Sequence, residues 1–247
     1  MWGIVPAAGR GSRIQPLAFS KELLPVGSRR ENGRERPCAV SEYLLERMVK
    51  AGVDKVCFVI SPGKSDIMEY FGGRYGPATI AYVVQPEPLG LCDAIFRAAP
   101  LIGEDHSVVV GLPDTIWFPD DALKALPEGF ALLLFPVEQP QLFDAVVLDE
   151  TGEVVEIQVK QAEPGSNWIW GAFRMPGRTL HDLHRLWLQP ERGDQFIGTL
   201  VNAWIGRGGK ARGAKAGTAY VDVGTFDGYR MAINLLDGGS AADGIRR

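Results

Sequence analysis

Residues 2–26, WGIVPAAGRGSRIQPLAFSKELLPV, place a short apolar run directly before a loop rich in glycine and basic residues. The run WGIV predicts a first β-strand, and the glycines that follow predict a tight turn. Gly9 and Gly11 let backbone N–H groups approach an anion closely. Arg13 and Lys21 add positive charge that suits a phosphate group. Taken alone, an ordinary turn with surface charges explains the stretch about equally well.

The composition bounds the class of protein and its partners. The chain has 247 residues, 46% of them hydrophobic and 23% charged, which fits one soluble domain over 1–247. The net charge of −4 argues against a nucleic-acid partner. The longest apolar run, 130–137, is too short to cross a bilayer, and no signal peptide is visible. We therefore expect a cytoplasmic protein without a membrane partner, and the sequence leaves a homo-oligomer open.

Apolar runs alternate with amphipathic segments over the first half of the chain, which predicts an α/β fold. The predicted strands are 2–5, 53–61, 79–85, 107–112 and 130–137, and the predicted helices are 39–52, 91–102 and 120–126. This order favours a mostly parallel central sheet flanked by helices. In the second half, 144–160 predicts a hairpin and 167–176 a further strand, so we expect an antiparallel excursion there.

Two stretches, 27–37 and 58–65, raise the question whether they bind or cover a phosphate. Residues 27–37, GSRRENGRERP, are polar and contain Asn-Gly, which predicts a solvated loop, with a lid over a phosphate site as the alternative. The stretch FVISPGKS, 58–65, contains the Gly-Lys-Ser of a P-loop. However, Phe58 stands where that loop needs its first glycine, so the stretch cannot form a phosphate-wrapping loop in the usual way.

Two aspartates follow predicted strands. Asp114 comes after the apolar run 107–112, and Asp222 lies near the end of the run AYVDV (219–223), before a helix that Thr225 can cap. The carboxyl ends of strands form the ligand crevice of α/β sheets. Two carboxylates there, opposite a basic glycine loop, suit Mg²⁺ held between them and a triphosphate. The alternative is that each aspartate caps a turn.

These motifs together resemble those of the sugar-1-phosphate nucleotidyltransferases. PAAGRGSRIQP…SKELLPV resembles the signature of that family, and further matches follow in its order. They are VQPEPLGLCDAI (84–95), VVVGLPDTIWF (108–118), EIQVKQAEP (156–164), WIWGAF (168–173) and YVDVGTFDGY (220–229). The resemblance extends from Gly3 to about Leu236 and implies a Rossmann-like nucleotidyltransferase fold.

The resemblance also implies roles for individual residues. The residues implied in catalysis are Arg13, Lys21 and Lys160, those implied in nucleotide binding are Ala8, Gly9, Gly11, Gln85 and Gly90, and the implied Mg²⁺ ligands are Asp114 and Asp222. Within the single domain, 1–143 would mainly bind the nucleotide and 144–236 the acceptor, with a flexible tail at 237–247.

The implied reaction transfers a nucleotidyl group from an NTP, with dTTP or UTP favoured, to a sugar 1-phosphate, with glucose 1-phosphate favoured. Three positions depart from the family pattern near the sugar. Val159 stands where the family commonly has glutamate, and Asp144 lies near a position where the family often has glycine. Trp170 stands where a small polar residue is common. Two alternatives therefore stay open: a cytidylyltransferase for another phosphorylated small molecule, and a non-catalytic regulator that binds a sugar nucleotide.

Overall fold

The computed structural model describes residues 1–243, with side chains over 1–236, and both strands and helices fill this range. The strands are β1 (Trp2–Pro6), β2 (Pro25–Glu31), β3 (Arg34–Ala39), β4 (Lys55–Ile60), β5 (Arg74–Tyr75), β6 (Ala78–Val84), β7 (Ser107–Gly111), β8 (Thr115–Phe118), β9 (Phe130–Pro136), β10 (Asp144–Leu148), β11 (Val154–Val159), β12 (Trp168–Pro176), β13 (Ala211–Ala214) and β14 (Ala219–Asp222). The helices are α1 (Val40–Lys50), α2 (Ser65–Phe71), α3 (Leu91–Arg97), α4 (Gly177–Trp187), α5 (Ile197–Ile205) and α6 (Phe226–Asp243).

A ten-stranded sheet forms the centre of the fold. Its order is β11-β10-β12-β7-β1-β4-β6-β5, with β9 paired to β12 and β13 paired to β9. Strand β1 lies parallel to β4 and β7, and β4 lies parallel to β6. Strands β10, β11 and β12 pair antiparallel with their neighbours. The predicted parallel sheet with an antiparallel excursion is therefore confirmed, and β1 lies in its middle.

Helices cover both faces of this sheet. On one face Leu44 and Met48 of α1 are fully buried, and on the other Leu180 and Leu183 of α4 are fully buried. Burying a leucine side chain stabilises the fold by about 1.5–3 kcal/mol relative to exposure. The 3–4 residue spacing of these apolar positions is what selects the helical conformation. Helix α1 ends before Gly52, whose φ of 92° suits a glycine.

The loop predicted for 27–37 is wrong, because the segment belongs to the β2–β3 hairpin. Asn32 and Gly33 at its tip have φ values of 51° and 77°. Positive φ at both central residues is what a two-residue hairpin turn of type I′ requires, and Asn-Gly is its favoured sequence. Arg36 donates two hydrogen bonds to the carboxylate of Glu42 on α1, at 2.8 and 2.9 Å. The segment is therefore a hairpin anchored to α1.

Three further differences from the sequence expectations concern short or terminal segments. The helix predicted for 120–126 is a 3₁₀ turn, Ala122–Ala125. The short elements α2, β5, β8 and β13 were not predicted. Helix α6 continues to Asp243, so part of the tail predicted for 237–247 is helical, and 244–247 lie outside the described residues. No helix within the described range has the length and apolar character needed to span a bilayer.

Candidate active site

The glycine-rich loop leaves the carboxyl end of β1 at the centre of the sheet. Ala8 is buried where the loop begins, whereas Gly9 is exposed and would keep open space around an added Cβ. Gly11 has a φ of 65°, and a Cβ there would lie 2.8 Å from Cδ of Lys21. The loop therefore packs against the stem of Lys21 at Gly11 and presents its backbone to solvent at Gly9.

A buried ion pair fixes the two ends of this loop. Nζ of Lys64 donates to both carboxylate oxygens of Glu22, at 2.8 and 2.7 Å, and to the carbonyl oxygen of Ala7, at 2.6 Å. Glu22 is 0% exposed and Lys64 is 9% exposed. Ser20 adds two hydrogen bonds to the carboxylate of Asp66, from its N–H at 2.6 Å and its hydroxyl at 2.7 Å. Lys64, which belongs to the P-loop-like stretch 58–65, thus binds Ala7 and Glu22 at the two ends of the glycine-rich loop.

Two strands bring Asp114 and Asp222 together. Asp114 follows β7, the direct neighbour of β1, and Asp222 ends β14. Strand β14 pairs with β8 so that Asp222 lies opposite Thr115, and the N–H of Val223 donates to the carbonyl of Asp114 at 2.8 Å. A Cβ on Gly224 would lie 2.8 Å from Oδ2 of Asp114 and 2.8 Å from Oδ1 of Asp222. Both carboxylates therefore flank one point, which glycine leaves free.

Two basic side chains from the glycine-rich segment neutralise these carboxylates. Nζ of Lys21 forms an ion pair with Oδ2 of Asp114, and Nη1 of Arg13 lies 2.9 Å from Oδ2 of Asp222. Burial alone would raise the pKa of Asp114 and lower the pKa of Lys21. Their mutual attraction outweighs burial, so the pKa of Asp114 is lowered and that of Lys21 is raised. Both groups are therefore charged at neutral pH.

The carboxylates suit a metal that is shared with a ligand. Within the part of the chain that the structure describes, no three His, Cys, Asp or Glu side chains are arranged to hold a metal ion. Asp114 and Asp222 supply two carboxylates around one point. Mg²⁺ is commonly bound by one or two carboxylates together with phosphate oxygens and water. The donor set therefore fits a Mg²⁺–phosphate complex better than a metal held by protein alone.

Lys160 lies in a second group of side chains, at the end of β11. Its φ is 46°, and its Nζ lies 4.9 Å from the ring centroid of Phe196. Across the β10–β11 pairing, Asp144 lies opposite Val159. Burial raises the pKa of Asp144, and the Trp170 indole N–H, which faces the carboxyl as a hydrogen-bond donor, and the Lys160 ammonium oppose that rise without cancelling it. Among the described side chains, Lys160 forms no ion pair with Asp114 or Asp222, which pair with Lys21 and Arg13.

Tyr220 lies near carboxylates of both groups. It precedes Asp222 by two residues on β14, so both side chains lie on the same face of that strand. Burial, followed by the negative charges of Asp222, Asp114 and Asp144, raises the pKa of Tyr220 well above its ordinary value. Tyr220 was not among the site residues expected from the sequence. Its two-residue spacing from Asp222 in a predicted strand could have placed both side chains on one face.

Gln85 and Gly90 lie beyond β6 and bond to each other. Gln85 is buried, and its amide donates to Asp93 at 2.7 Å and to the carbonyl of Gly90 at 3.1 Å. Gly90 precedes α3 with a φ of 98°, and a Cβ there would lie 2.8 Å from Cα of Gln195. Glycine is therefore required by the close approach of a second chain segment. A role of these two residues toward a nucleotide base stays a prediction.

Comparison with known proteins shows a family match over nearly the whole chain. Residues 2–237 match the family model described as nucleotidyl transferase. The glucose-1-phosphate thymidylyltransferase of Mycolicibacterium smegmatis is 28% identical over 96% of this chain and 82% of its own length. The UTP–glucose-1-phosphate uridylyltransferase of Haloferax volcanii is 27% identical over 94% of this chain and 91% of its own length.

Solved structures show the same fold. A Bacillus anthracis protein assigned as a glucose-1-phosphate thymidylyltransferase superposes with a TM-score of 0.78 and 23% identity, over 95% of this chain and 94% of that one. A UTP-bound UGPase of Acinetobacter baumannii superposes with a TM-score of 0.75 and 20% identity, over 94% and 91%. The family match, together with the loop and the paired aspartates, leads to one conclusion. This chain belongs to the nucleotidyl transferase family.

Proposed function

We propose that the chain transfers a nucleotidyl group from an NTP to a sugar 1-phosphate, giving an NDP-sugar and pyrophosphate. The observation that carries this proposal is the convergence of Arg13, Lys21, Asp114 and Asp222 beside an accessible glycine-rich loop. Two cations and two carboxylates around one point suit a metal-bound triphosphate. Relatives named as thymidylyl- and uridylyltransferases of glucose 1-phosphate favour dTTP or UTP as donor and glucose 1-phosphate as acceptor.

The proposed reaction needs no covalent enzyme intermediate. A phosphate oxygen of the acceptor attacks the α-phosphorus of the NTP in line, and the bond from that phosphorus to the pyrophosphate oxygen breaks. The reactants are both anions, so catalysis consists of positioning them and neutralising charge. The exposed backbone around Gly9 would bind phosphate oxygens through its N–H groups.

Lys21 and Arg13 would change partners when substrate binds. Without substrate each cation is paired with a carboxylate. Asp114 and Asp222 would hold Mg²⁺, whose chemistry is to neutralise phosphate oxygens. In that arrangement the two carboxylates would no longer need Lys21 and Arg13 as partners, and both cations would be available to the phosphates. Lys21 has the compact charge for the leaving pyrophosphate, and Arg13 the planar fork for a phosphate edge.

Lys160 would bind the phosphate of the acceptor. It is exposed, and its ammonium lies over the ring of Phe196 rather than in an ion pair among the described side chains. Residues 144–236 would accordingly supply mainly the acceptor side and 1–143 mainly the nucleotide side, with Asp222 as an exception. A cytoplasmic location and the absence of membrane and nucleic-acid partners stay predictions from the sequence, which leaves a homo-oligomer open.

Pyrophosphate release from a matrix of substrates tests the proposal. The matrix combines UTP, dTTP and CTP with glucose 1-phosphate, other hexose 1-phosphates and phosphorylated alcohols, each with Mg²⁺. We expect release with glucose 1-phosphate and with UTP or dTTP. Release confined to CTP and a phosphorylated alcohol would support the cytidylyltransferase alternative. Tight binding of an NDP-sugar without any turnover would support the regulator, and either result would overturn the proposal.

A further inference from the structure

Arg47 on α1 is a buried guanidinium without a carboxylate partner. It is 2% exposed, and among the described side chains it forms no ion pair. The two carboxylates that act on it from a distance are engaged elsewhere, Glu46 with Arg29 and Lys50, and Asp120 with Lys50. Burial lowers the pKa of Arg47 to about 10, so the group is still charged at neutral pH. Because a buried charge is costly and is normally paired, Arg47 needs an explanation other than filling the core.

The hydrogen bonds of Arg47 all go to backbone carbonyls. Nε and Nη2 donate to the carbonyl oxygen of Trp117 on β8, at 3.0 and 2.5 Å. Nη1 donates to the carbonyl oxygen of Tyr43 on α1, at 2.8 Å. The guanidinium carbon lies 4.9 Å from the ring centroid of Trp117 and 5.5 Å from that of Tyr43. A planar fork with several donors makes this arrangement possible, so the guanidinium joins α1 to β8.

Strand β8 depends on such an anchor. Strands β8 and β14 form a two-stranded sheet that is separate from the ten-stranded one. Within the described residues, Arg47 supplies the only side-chain hydrogen bonds that reach the backbone of β8 from outside this pair of strands. The indole nitrogen of Trp117 is buried and makes no hydrogen bond. The bonds to its carbonyl therefore fix the position of the strand, and the ring only packs.

The β8–β14 pair carries both site carboxylates. Asp114 directly precedes β8, and Asp222 ends β14 opposite Thr115. Trp117 lies two residues beyond Thr115, which is about 7 Å along the strand. A shift of β8 against α1 would therefore move Asp114 and Asp222 together.

Helix α1 also holds the segment that carries the basic side chain facing Asp114. The hydroxyl of Ser41, which is fully buried, donates to the carbonyl of Glu22 at 2.7 Å. Glu22 follows Lys21 directly. Ser41 and Arg47 are six residues apart, which is about 9 Å along a helix. One rigid element thus holds both the Lys21 segment and β8, at a fixed distance from each other.

We propose that Arg47 is a positioning residue, which fixes the Asp114–Asp222 pair against the segment of Lys21. It acts through β8 and contacts no substrate. The inference rests on the proposed function, because the two carboxylates would hold the Mg²⁺–nucleotide complex of that reaction. The guanidinium is kept unpaired and buried because its fork is needed on the Trp117 carbonyl.

Variants of Arg47 test this role. Arg47→Met keeps an apolar side chain of similar length and removes every donor. We expect it to raise the Mg²⁺ concentration for half-maximal pyrophosphate release about tenfold and to lower kcat about 10- to 100-fold, because small misplacements of reacting groups are costly. Arg47→Lys keeps a charge and donors without the fork, so it should show the same changes at about threefold.

Two control variants separate positioning from stability. Tyr43→Phe removes a hydroxyl that donates from α1 to the carbonyl of Val26 at 2.8 Å, and it keeps the ring beside Arg47. Leu183→Ala removes a fully buried side chain of α4, on the opposite face of the sheet, and destabilises the fold there. Both should change the Mg²⁺ requirement less than twofold at a temperature where thermal unfolding shows every variant to be folded. A change in Leu183→Ala as large as that in Arg47→Met would overturn the positioning role.

Calorimetric titration with UTP and dTTP, with and without Mg²⁺ and without acceptor, gives a readout apart from turnover. We expect Mg²⁺ to strengthen nucleotide binding by the wild type, and Arg47→Met to lose about tenfold of that gain while metal-free binding changes less than twofold. Equal gains in the wild type and both Arg47 variants would overturn the positioning role and leave the proposed function standing.

The same titration keeps the two proposals separable. A smaller gain in Arg47→Met, without turnover of any sugar phosphate by the wild type, would support the positioning role and overturn the proposed function. No binding of either nucleotide by the wild type in the presence of Mg²⁺ would overturn both.

Discussion

Replacement of Lys64 by methionine should destabilise the protein strongly, because it leaves the Glu22 carboxylate buried without its cation. Lys64 donates to both oxygens of Glu22 and to the carbonyl of Ala7. Removing one member of a buried ion pair costs about 3–5 kcal/mol. For a protein of this length each kcal/mol lowers Tm by about 2–4 °C, so Lys64→Met should lower Tm by roughly 6–20 °C.

The loss should depend on pH in a defined direction. Burial already raises the pKa of Glu22 above its ordinary 4.5, and Lys64 opposes that rise. Without Lys64 the pKa rises further, so between pH 4.5 and the new value the folded variant binds more protons than the unfolded chain. Stability then falls as pH rises. The deficit relative to wild type should therefore be small near pH 4.5 and reach its full size toward neutral pH.

The double variant Glu22→Met with Lys64→Met supplies the control. It removes both charges and keeps a similar side-chain volume, so no unpaired charge is buried. The remaining cost is the loss of the Lys64 hydrogen bond to Ala7, about 1 kcal/mol. Thermal unfolding followed by tryptophan fluorescence between pH 5 and 8 measures all three proteins. The reasoning is refuted if the single variant unfolds within 2 °C of the wild type, if its deficit does not change with pH, or if the double variant is less stable than the single one.

Three further predictions concern the site and the hairpin. Gly224→Ala places a methyl 2.8 Å from an oxygen of each site aspartate, so kcat/KM for pyrophosphate release should fall about 100-fold with Tm little changed; retained activity would contradict the shared site. Lys160→Ala should raise KM for the acceptor about tenfold or more and leave KM for the NTP unchanged, as two-substrate kinetics would reveal. Gly33→Ala should cost about 1 kcal/mol in urea unfolding, because φ is 77°, whereas Gly63→Ala, where φ is ordinary, should not.

Much of the fold follows from local sequence pattern. Strands such as β1 and β4 and helices such as α1 bury apolar residues at the spacing of their own conformation, so each can be read from a short window. The β2–β3 hairpin could not be read in this way because its residues are mostly polar and exposed. Its turn residues, Asn32 and Gly33, carried the signal. The β8–β14 pair joins residues about a hundred positions apart, so no local pattern encodes it.

The candidate site was predictable in its residue types but not in its partners. Glycines after a first strand and aspartates after later strands indicated where Arg13, Lys21, Asp114 and Asp222 would gather. The pairing of Lys64 with Glu22 depends on the tertiary placement of α2 against the loop, and sequence offers no rule for it.

The central claim is that the Asp222 carboxylate serves the reaction at the point it shares with Asp114. The direct measurement is Mg²⁺-dependent pyrophosphate release from glucose 1-phosphate with UTP and with dTTP, for the wild type, Asp222→Asn and Asp227→Asn. Asp227 is an exposed aspartate five residues further on, so it controls for the loss of one negative charge. We expect Asp222→Asn to lose about 100-fold or more in kcat/KM and Asp227→Asn less than twofold. Wild-type activity in a folded Asp222→Asn variant would contradict the account.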